Sequence, residues 1–379
     1  MKLFRRLYQL LKKICSFFVY SVFLALIPKT KLGKADADIA VVCLASLGDF
    51  ITFCTVARDC HKKGKSMILV CREGAGIEKF AQLTGYFQKI YPISTKFRAR
   101  FSNLRFLSQV HVQQVIVAPA ERHILSDMYM LAISAQNHIL PDTMQACSLP
   151  MLKRIVDRRV ETLIPVTAIY ELERYEQYLS STNWLNIPLP IFQFDNVERK
   201  KVENPYICVF PGAGGGAAKQ WPIERFAFVL NEVCKNAEYC VRICGTAKEF
   251  ELGEQLLHLL NVPVQNLCGK TELSSLKELL QGASLTLAND SGSAHFSIAC
   301  KTPTVVICGC WEYGRFYPNS RMPNNCRVII ASRISMACIP CGKSRPVCTR
   351  YPEAAPCVMA SRKEVVFNAI CSLLAAFFE

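Results

Sequence analysis

The segment Leu285–Gly309 constrains the fold of this chain more than any other. Apolar runs at Leu285–Ala288 and Thr304–Cys308 predict two buried strands, and a polar turn and a short helix lie between them. Two strands joined through a helix form a parallel βαβ unit, whose turn lies at the carboxyl edge of the sheet. The sequence therefore predicts a parallel sheet with the turn Asn289-Asp290-Ser291-Gly292 at its ligand-binding edge.

This turn has the chemistry of an anion site. Ser291 can cap the helix, and Gly292 lets a ligand approach the backbone. The amides of the helix N-terminus then favour a phosphate beside Asp290. His295, in the helix, is either a base or phosphate donor or a histidine packed in the core. A turn of this kind can also be purely structural.

Alternating strands and helices continue through most of the chain, which predicts an α/β protein with doubly wound parallel sheets. The predicted strands are Asp38–Leu44, Ser66–Cys71, Lys89–Ile93, Val112–Val117, Tyr206–Phe210, Glu238–Cys244, Val264–Leu267, Leu285–Ala288, Thr304–Cys308 and Arg327–Ala331. A polar, proline-rich stretch at Ile187–Pro205 separates two Rossmann-like domains, residues 35–190 and 191–361, which we expect to face a central cleft. The apolar pattern of residues 362–379 predicts an amphipathic helix, which we expect to pack back on the first domain.

Residues 1–34 form a basic leader with eight cations and no acid, so they hold eight of the fifteen excess positive charges. Their mostly apolar run of fourteen residues, Ile14–Ile27, is shorter than the roughly 20 residues that span a bilayer. No cleavage site of the Ala-x-Ala kind follows it. We expect an amphipathic helix on an anionic membrane surface. The alternative is an uncleaved anchor that spans the membrane by recruiting Leu7–Leu11. A nucleic-acid arm would not need the apolar run, so no nucleic-acid partner is expected.

The twenty cysteines favour a reducing compartment rather than a disulfide scaffold, because many lie inside predicted strands. We therefore expect a cytoplasmic protein that is peripheral on a membrane surface.

Two more turns follow predicted strands. In the first domain, Asp49 ends the turn Ser46-Leu47-Gly48-Asp49; it is either a functional carboxylate or an ordinary acid at a helix start. In the second, Gly212 opens a loop with four glycines in five residues, and Lys219 follows. Such a loop suits phosphates, although a flexible surface loop is the alternative.

The turn after the next strand carries Glu249. A glutamate at this place can accept hydrogen bonds from a ribose, or it can simply begin a solvated helix.

In order along the chain, these segments resemble glycosyltransferase family 9, the lipopolysaccharide heptosyltransferases. SLGDFI resembles the family's Ser-x-Gly-Asp turn, PGAGGGAAKQWPIERFAFV its Lys-x-Trp-Pro segment, and CGTAKEFE its Gly-x-x-x-Glu turn. The block from Asn266 to Gly309 resembles the family's most specific motif. The resemblance covers roughly Asp38 to Met359.

The resemblance implies a GT-B fold and an inverting, metal-independent transfer, without a cofactor, from a nucleotide-sugar donor to a glycolipid acceptor. ADP-heptose and the lipopolysaccharide core are the expected substrates. By analogy Asp49 is the catalytic base, and the donor is bound by Gly212, Lys219, Glu249, Asp290, Ser291, Gly292 and His295. Residues 191–361 contain no Asp-x-Asp pair that could hold a metal.

Two features leave alternatives open. The segment Gly309-Cys310-Trp311 departs from the family pattern, and this departure favours a different donor sugar. A further alternative is a homologue that binds a nucleotide without catalysing transfer. Four cysteines near the end, Cys338, Cys341, Cys348 and Cys357, include one Cys-x-x-Cys and either bind zinc or remain free or redox-paired thiols.

Overall fold

Two six-stranded parallel sheets organise the chain, one in each of two units, Met1–Leu189 and Pro190–Glu379. The structure is a computed structural model that describes residues 17–27, 33–143, 150–235, 239–310, 314–317, 319–332, 336 and 353–378.

The first sheet has the strand order β3-β2-β1-β4-β5-β6. Its strands are β1 (Ala37–Cys43), β2 (Met67–Arg72), β3 (Lys89–Ile93), β4 (His111–Ala118), β5 (Ser134–Asp142) and β6 (Thr162–Pro165). The helices of this unit are α1 (residues 17–26), α2 (Leu47–Lys62), α3 (Ile77–Thr84), α4 (Arg100–Leu107), α5 (Ile124–Ala132), α6 (Pro150–Asp157) and α7 (Glu171–Tyr178).

The second sheet has the order β12-β11-β10-β7-β8-β9. Its strands are β7 (Tyr206–Phe210), β8 (Cys240–Ile243), β9 (Val264–Asn266), β10 (Leu285–Asn289), β11 (Thr304–Ile307) and β12 (Cys326–Ile329). The helices are α8 (Ile223–Cys234), α9 (Phe250–His258), α10 (Leu273–Gly282), α11 (Gly292–Ala299), α12 (Pro356–Met359) and α13 (Lys363–Phe378).

Each sheet reverses its direction of growth beside its first strand. In the first sheet β1 pairs with both β2 and β4, and in the second β7 pairs with both β8 and β10. The loops after such strands leave the sheet on opposite faces, which opens a crevice at the carboxyl edge. The turns that carry Asp49, Lys219 and Asp290 all follow strands at these two reversal points.

Ten strands were predicted, and each lies within two or three residues of an observed strand among the described residues. The prediction missed β5 and β6. Strand β5 begins only two residues after α5 ends, and its first half carries the polar residues Gln136, Asn137 and His138, so no apolar run marks its start. Strand β6 is not fully buried and ends at Pro165, so it lacks the buried apolar run that marks the other strands.

The prediction that the last helix packs on the first domain is wrong. Val366, Ile370 and Leu373 of α13 are fully buried in the core of the second unit, and α13 contacts α8 and β11 there. The spacing of these residues, three and four positions apart, gives α13 one apolar face, and this face covers the sheet of its own unit.

Helix α1 is the described part of the basic leader, most of which lies outside the described residues. Phe23, Leu24 and Ile27 are buried, with at most 4% exposure. Arg159, just after α6, donates hydrogen bonds to the carbonyl oxygens of Leu24 (2.6 Å) and Ile27 (3.4 Å) and so caps the end of the helix. Within the described residues, the structure shows no helix long and apolar enough to cross a bilayer.

Candidate functional site

The turn between β10 and α11 lies at the carboxyl edge of the second sheet, as the sequence predicts. The Asp290 amide donates to the Ile307 carbonyl of β11 (3.0 Å), which holds the turn against the neighbouring strand. The prediction that Ser291 caps the helix is wrong: it occupies the cap position, but its side chain makes no capping bond. Its buried Oγ finds no hydrogen-bond partner among the described residues. An unpaired hydroxyl beside helix amides suits a ligand oxygen.

A chain of polar contacts runs from Lys219 through Asp290 to His295. The Lys219 Nζ lies 3.1 Å from Asp290 Oδ2, and the Tyr317 hydroxyl donates to Asp290 Oδ1 at 3.0 Å. The same hydroxyl lies 3.1 Å from His295 Nε2, and the two rings stack at 5.1 Å. Asp290 is only 6% exposed and His295 only 8%. Burial raises the pKa of Tyr317 well above its ordinary value, so it remains a neutral donor.

Asn289 connects this turn to the glycine loop. Its Nδ2 donates to the Pro211 carbonyl (2.7 Å), and its Oδ1 accepts from the Trp221 amide (3.0 Å). Pro211 stands at one end of the loop and Trp221 just beyond Lys219. One fully buried side chain therefore fixes both ends of the segment that carries the lysine.

Two glycines of the loop make room for the side chains of Glu249 and Lys219. A Cβ on Gly212 would lie 1.8 Å from Glu249 Oε1, so only glycine lets that carboxylate approach the loop. A Cβ on Gly215 would lie 2.7 Å from Lys219 Cδ. The loop therefore packs closely on both side chains, which argues against the alternative of a flexible surface loop.

Glu249 serves as a capping residue in the structure. Its Oε2 accepts hydrogen bonds from the Thr246 amide (2.7 Å) and the Thr246 hydroxyl (2.8 Å) at the start of α9. Its other oxygen points to Gly212, towards the glycine loop. The helix-start role is therefore real, and it leaves one carboxylate oxygen directed at the edge where Lys219 and Asp290 lie.

Asp49 has a similar local role in the first unit. Its Oδ2 accepts from the Ser46 hydroxyl (2.6 Å) and the Ser46 amide (3.1 Å), which together form the capping box of α2. The carboxylate is half-buried at the carboxyl edge of the first sheet.

A cavity of about 350 Å³ opens at the same edge of the first unit, lined in part by Ala45, Arg72 and His123. Ala45 belongs to the turn that leads to Asp49. Burial and the nearby Arg100 lower the pKa of His123, so its imidazole is neutral at pH 7. A larger cavity of about 920 Å³ lies at the amino edge of the second sheet, and no predicted donor residue lines it.

Of the four cysteines that either bind zinc or remain free or redox-paired thiols, only Cys357 lies within the described residues. Cys357 is buried against Cys310, and a hydrogen bond from the Cys310 side chain lowers the pKa of the Cys357 thiol to about 6. No two cysteines in the described part of the chain form a disulfide with each other. No group of three or more potential ligands in that part could hold a metal ion. Trp311, beside Cys310, also lies outside the described residues.

Outside residues 191–361, one Asp-x-Asp sequence occurs at Asp36-Ala37-Asp38, on the amino edge of the first sheet. Asp36 accepts from the His111 amide and Asp38 from Ser66, so both carboxylates already bind the protein.

Sequence reasoning missed two members of the site. Tyr317 follows β11 in a segment without a recognisable pattern, and only the fold brings it to Asp290. Asn289 lay in the predicted turn, but its two anchoring bonds join parts of the chain that are 78 and 68 residues away.

Comparison with known proteins places these features in context. Residues 110–343, more than half of the chain, match the family model described as glycosyltransferase family 9 (heptosyltransferase). Lipooligosaccharide heptosyltransferase 2 of Campylobacter jejuni is 32% identical over 151 residues, which are 37% of this chain and 46% of that protein. Lipopolysaccharide heptosyltransferase 2 of Salmonella typhimurium is 35% identical over 111 residues, 28% of this chain and 32% of that protein. The chain thus matches less than half the length of these curated relatives.

Solved structures show the same fold over nearly the whole chain. E. coli ADP-heptose LPS heptosyltransferase II superposes with a TM-score of 0.68 at 18% identity, covering 89% of this chain and 99% of that one. A glycosyltransferase family 9 structure from Veillonella parvula gives a TM-score of 0.68 at 16% identity, covering 90% and 98%. The predicted GT-B class, with two Rossmann-like units, is confirmed.

Proposed function

Because this chain belongs to glycosyltransferase family 9, the heptosyltransferase family, we propose that it transfers a heptose residue from ADP-heptose to the lipopolysaccharide core or a similar glycolipid. In this proposal the transfer inverts the configuration at the anomeric carbon. The observation that carries this proposal is the ion pair between half-buried Lys219 and buried Asp290 at the carboxyl edge of the second sheet. It lies within the segment that matches the family model.

The donor half of the proposal rests on the positive charge and amides at this edge. When the sugar leaves, negative charge develops on the departing diphosphate, and preorganised donors that point at it lower the barrier. Lys219 and the first-turn amides of α11 supply such donors without a metal. Tyr317 fixes Asp290, and Asp290 fixes the ammonium, so little reorganisation is needed on binding.

The remaining donor contacts follow from the same edge. Gly212 and Glu249 lie together, and the Glu249 oxygen that faces the loop can accept a ribose hydroxyl. The Ser291 hydroxyl, together with the backbone at Gly292, is available to the phosphates or the sugar, and His295 supports the site through Tyr317.

The acceptor half rests on Asp49. In the proposed step this carboxylate takes the proton of the acceptor hydroxyl, whose oxygen forms a bond to the anomeric carbon from the face opposite the diphosphate. The bond from that carbon to the diphosphate oxygen breaks, and the nucleoside diphosphate leaves with the bonding electrons. The cavity beside Ala45 and Arg72 has room for part of a sugar acceptor.

We place the protein at the cytoplasmic face of the inner membrane, as a peripheral protein whose partners are the donor, the glycolipid and an anionic lipid surface. The basic leader supports this location, as do relatives named for lipopolysaccharide and lipooligosaccharide. The net charge of the whole chain, +15, suits an anionic surface.

The test is a transfer assay with the purified full chain. Thermal shifts with ADP-heptose and with UDP- and GDP-sugars rank the donors, because a ligand that binds only the folded state stabilises it. Transfer to a heptose-deficient lipopolysaccharide is then followed by mass spectrometry, and NMR of the product gives the anomeric configuration. Activity should persist in EDTA. Preference for another nucleotide sugar would overturn the donor assignment, and binding without hydrolysis or transfer would indicate a non-catalytic homologue.

One observation favours the alternative of a different donor sugar. Cys310 departs from the family pattern at the end of the last core strand, and the structure buries it against Cys357. This contact lies just beyond the end of β11, at the carboxyl edge of the second sheet. The donor panel separates the two assignments directly.

A further inference from the structure

Helix α1 has two different faces. Phe23, Leu24 and Ile27 are buried in the protein, whereas Phe18, Val22 and Leu26 are 64%, 55% and 53% exposed. The exposed three are four residues apart, so they line one side of the helix. The inner face is committed to the first unit, and the outer face presents large apolar side chains to solvent.

The inner face of α1 packs against a neighbouring segment, residues 97–106, that also exposes aromatic side chains. The Phe23 ring lies 4.7 Å from that of Phe101 and 5.9 Å from that of Phe97, measured between centroids. Phe97 and Phe101 are themselves 56% and 53% exposed, and Phe106 on α4 is 39% exposed. Exposed apolar groups that lie together in this way mark an interaction surface. We call these residues of α1 and of 97–106 the aromatic face.

The charge around the aromatic face selects its partner. No acid occurs between Glu78 and Glu121, or anywhere before Asp36. The first of these stretches instead contains exposed Lys96, Arg98 and Arg105. Arg100 lies over the Phe97 ring, with 5.3 Å from its guanidinium carbon to the centroid.

We infer that the aromatic face is a docking surface for an anionic lipid bilayer, in which α1 and the segment 97–106 insert side by side. Phenylalanine side chains enter the boundary between headgroups and acyl chains, and the surrounding cations bind lipid phosphates. Because the inner face of α1 is already packed, the helix can contact lipid only while lying along the membrane surface.

The choice of lipid rests in part on the proposed glycolipid acceptor. A protein partner or a second copy would need an apolar face with matching acids, and the two stretches that form this face contribute none. The binding itself is tested without any transfer reaction, so failure of the proposed activity leaves the result readable.

The experiment measures flotation of the full chain with phosphatidylethanolamine–phosphatidylglycerol vesicles and with phosphatidylcholine vesicles. Phe18→Ser with Phe101→Ser should lower partitioning into anionic vesicles about tenfold, because two half-exposed rings no longer insert. Arg98→Gln with Arg105→Gln should lower it by roughly 10–30-fold, at about 1 kcal/mol per charge. This second effect should shrink in high salt.

The matched control uses apolar side chains that are at least as exposed on average but lie away from the aromatic face. Ile169 and Ile187 are 63% and 68% exposed. Ile169 precedes α7, which packs with α2 rather than with α4. Replacing both isoleucines by serine should leave partitioning unchanged, and circular dichroism should show that all variants keep the fold.

Three results would overturn the inference. One is wild-type protein that does not float with anionic vesicles, and another is a control pair that loses as much binding as the aromatic pair. The third is unchanged partitioning in the aromatic and arginine variants, which would mean that other parts of the basic leader make the lipid contact. If the aromatic pair instead converted a dimer to a monomer and kept its lipid binding, the face would be a protein interface.

Discussion

Replacing Asn289 by alanine should separate the stability of the second unit from its ability to hold a nucleotide. The change removes both anchoring bonds, to the Pro211 carbonyl and from the Trp221 amide. Each backbone group is left without its partner in a fully buried position, which costs about 1–3 kcal/mol. With partial relaxation, we expect a loss of about 3 kcal/mol in the free energy of unfolding of this unit. At roughly 2–4 °C per kcal/mol for a unit of this size, the melting temperature should fall by about 6–12 °C.

Asn325 provides a control with the same chemistry at the opposite edge of the same sheet. Its Nδ2 donates to the Thr302 carbonyl (2.9 Å) and its Oδ1 accepts from Gln193 Nε2 (3.2 Å). Asn325→Ala should therefore lower the stability of the second unit by a similar amount. It should not alter the loop that carries Lys219, because it lies at the amino ends of the strands.

The two variants should differ in nucleotide affinity. Without Asn289 the glycine loop is held in its binding conformation for a smaller fraction of the time, and the apparent Kd rises by the inverse of that fraction. We expect calorimetry to show ADP binding about tenfold weaker in Asn289→Ala and unchanged in Asn325→Ala. Urea unfolding followed by tryptophan fluorescence measures stability, since Trp221 is buried in this unit. Equal ADP affinities in the two variants would refute the anchoring argument.

Three further outcomes are expected. Asp49→Asn should lower kcat by roughly 10²–10⁴ with little change in donor affinity. The control Ser46→Ala breaks the same capping box but keeps the carboxylate, so it should cost only about 1 kcal/mol of helix stability. Similar kcat values for the two variants would exclude Asp49 as the base. Lys219→Ala should weaken ADP binding more than AMP binding in calorimetry, because a charged phosphate contact is lost, and an equal loss for both would contradict the diphosphate contact. Hydrogen bonds from Ser66 lower the pKa of Asp38, so its stabilising effect is present at neutral pH and disappears as the pH falls through that lowered pKa. Asp38→Asn should therefore lower the melting temperature at pH 7 and match wild type in strong acid; a constant difference at all pH values would exclude this linkage.

The sequence predicts the fold class because the buried strands of a parallel sheet are continuous apolar runs, as in β1 and β10, and the turns after them carry the polar residues. Polar or partly exposed strands such as β5 and β6 give no such signal. The sheet on which α13 packs was predicted incorrectly. The sequence shows that this helix has one apolar face, but it does not show which of the two sheets that face covers.

Residues of the candidate site differ in the same way. Lys219 and Asp290 belong to local patterns, so each is identified from its own turn. Their ion pair, and the contact with Tyr317, depend on chain segments that meet only in the folded unit. Asp49 and Glu249 show a further limit: each caps a helix in the structure, so a local role and a chemical role are carried by the same carboxylate and a pattern cannot separate them.

Helix α1 makes location and folding interdependent. It contributes buried side chains to the first unit and receives two hydrogen bonds from Arg159. Any surface that binds its outer face therefore acts as a ligand of the folded state and raises the stability of that unit by mass action. If that surface is the proposed anionic membrane, a molecule that has left it is also the one that unfolds most readily, and cellular proteases would remove displaced copies first.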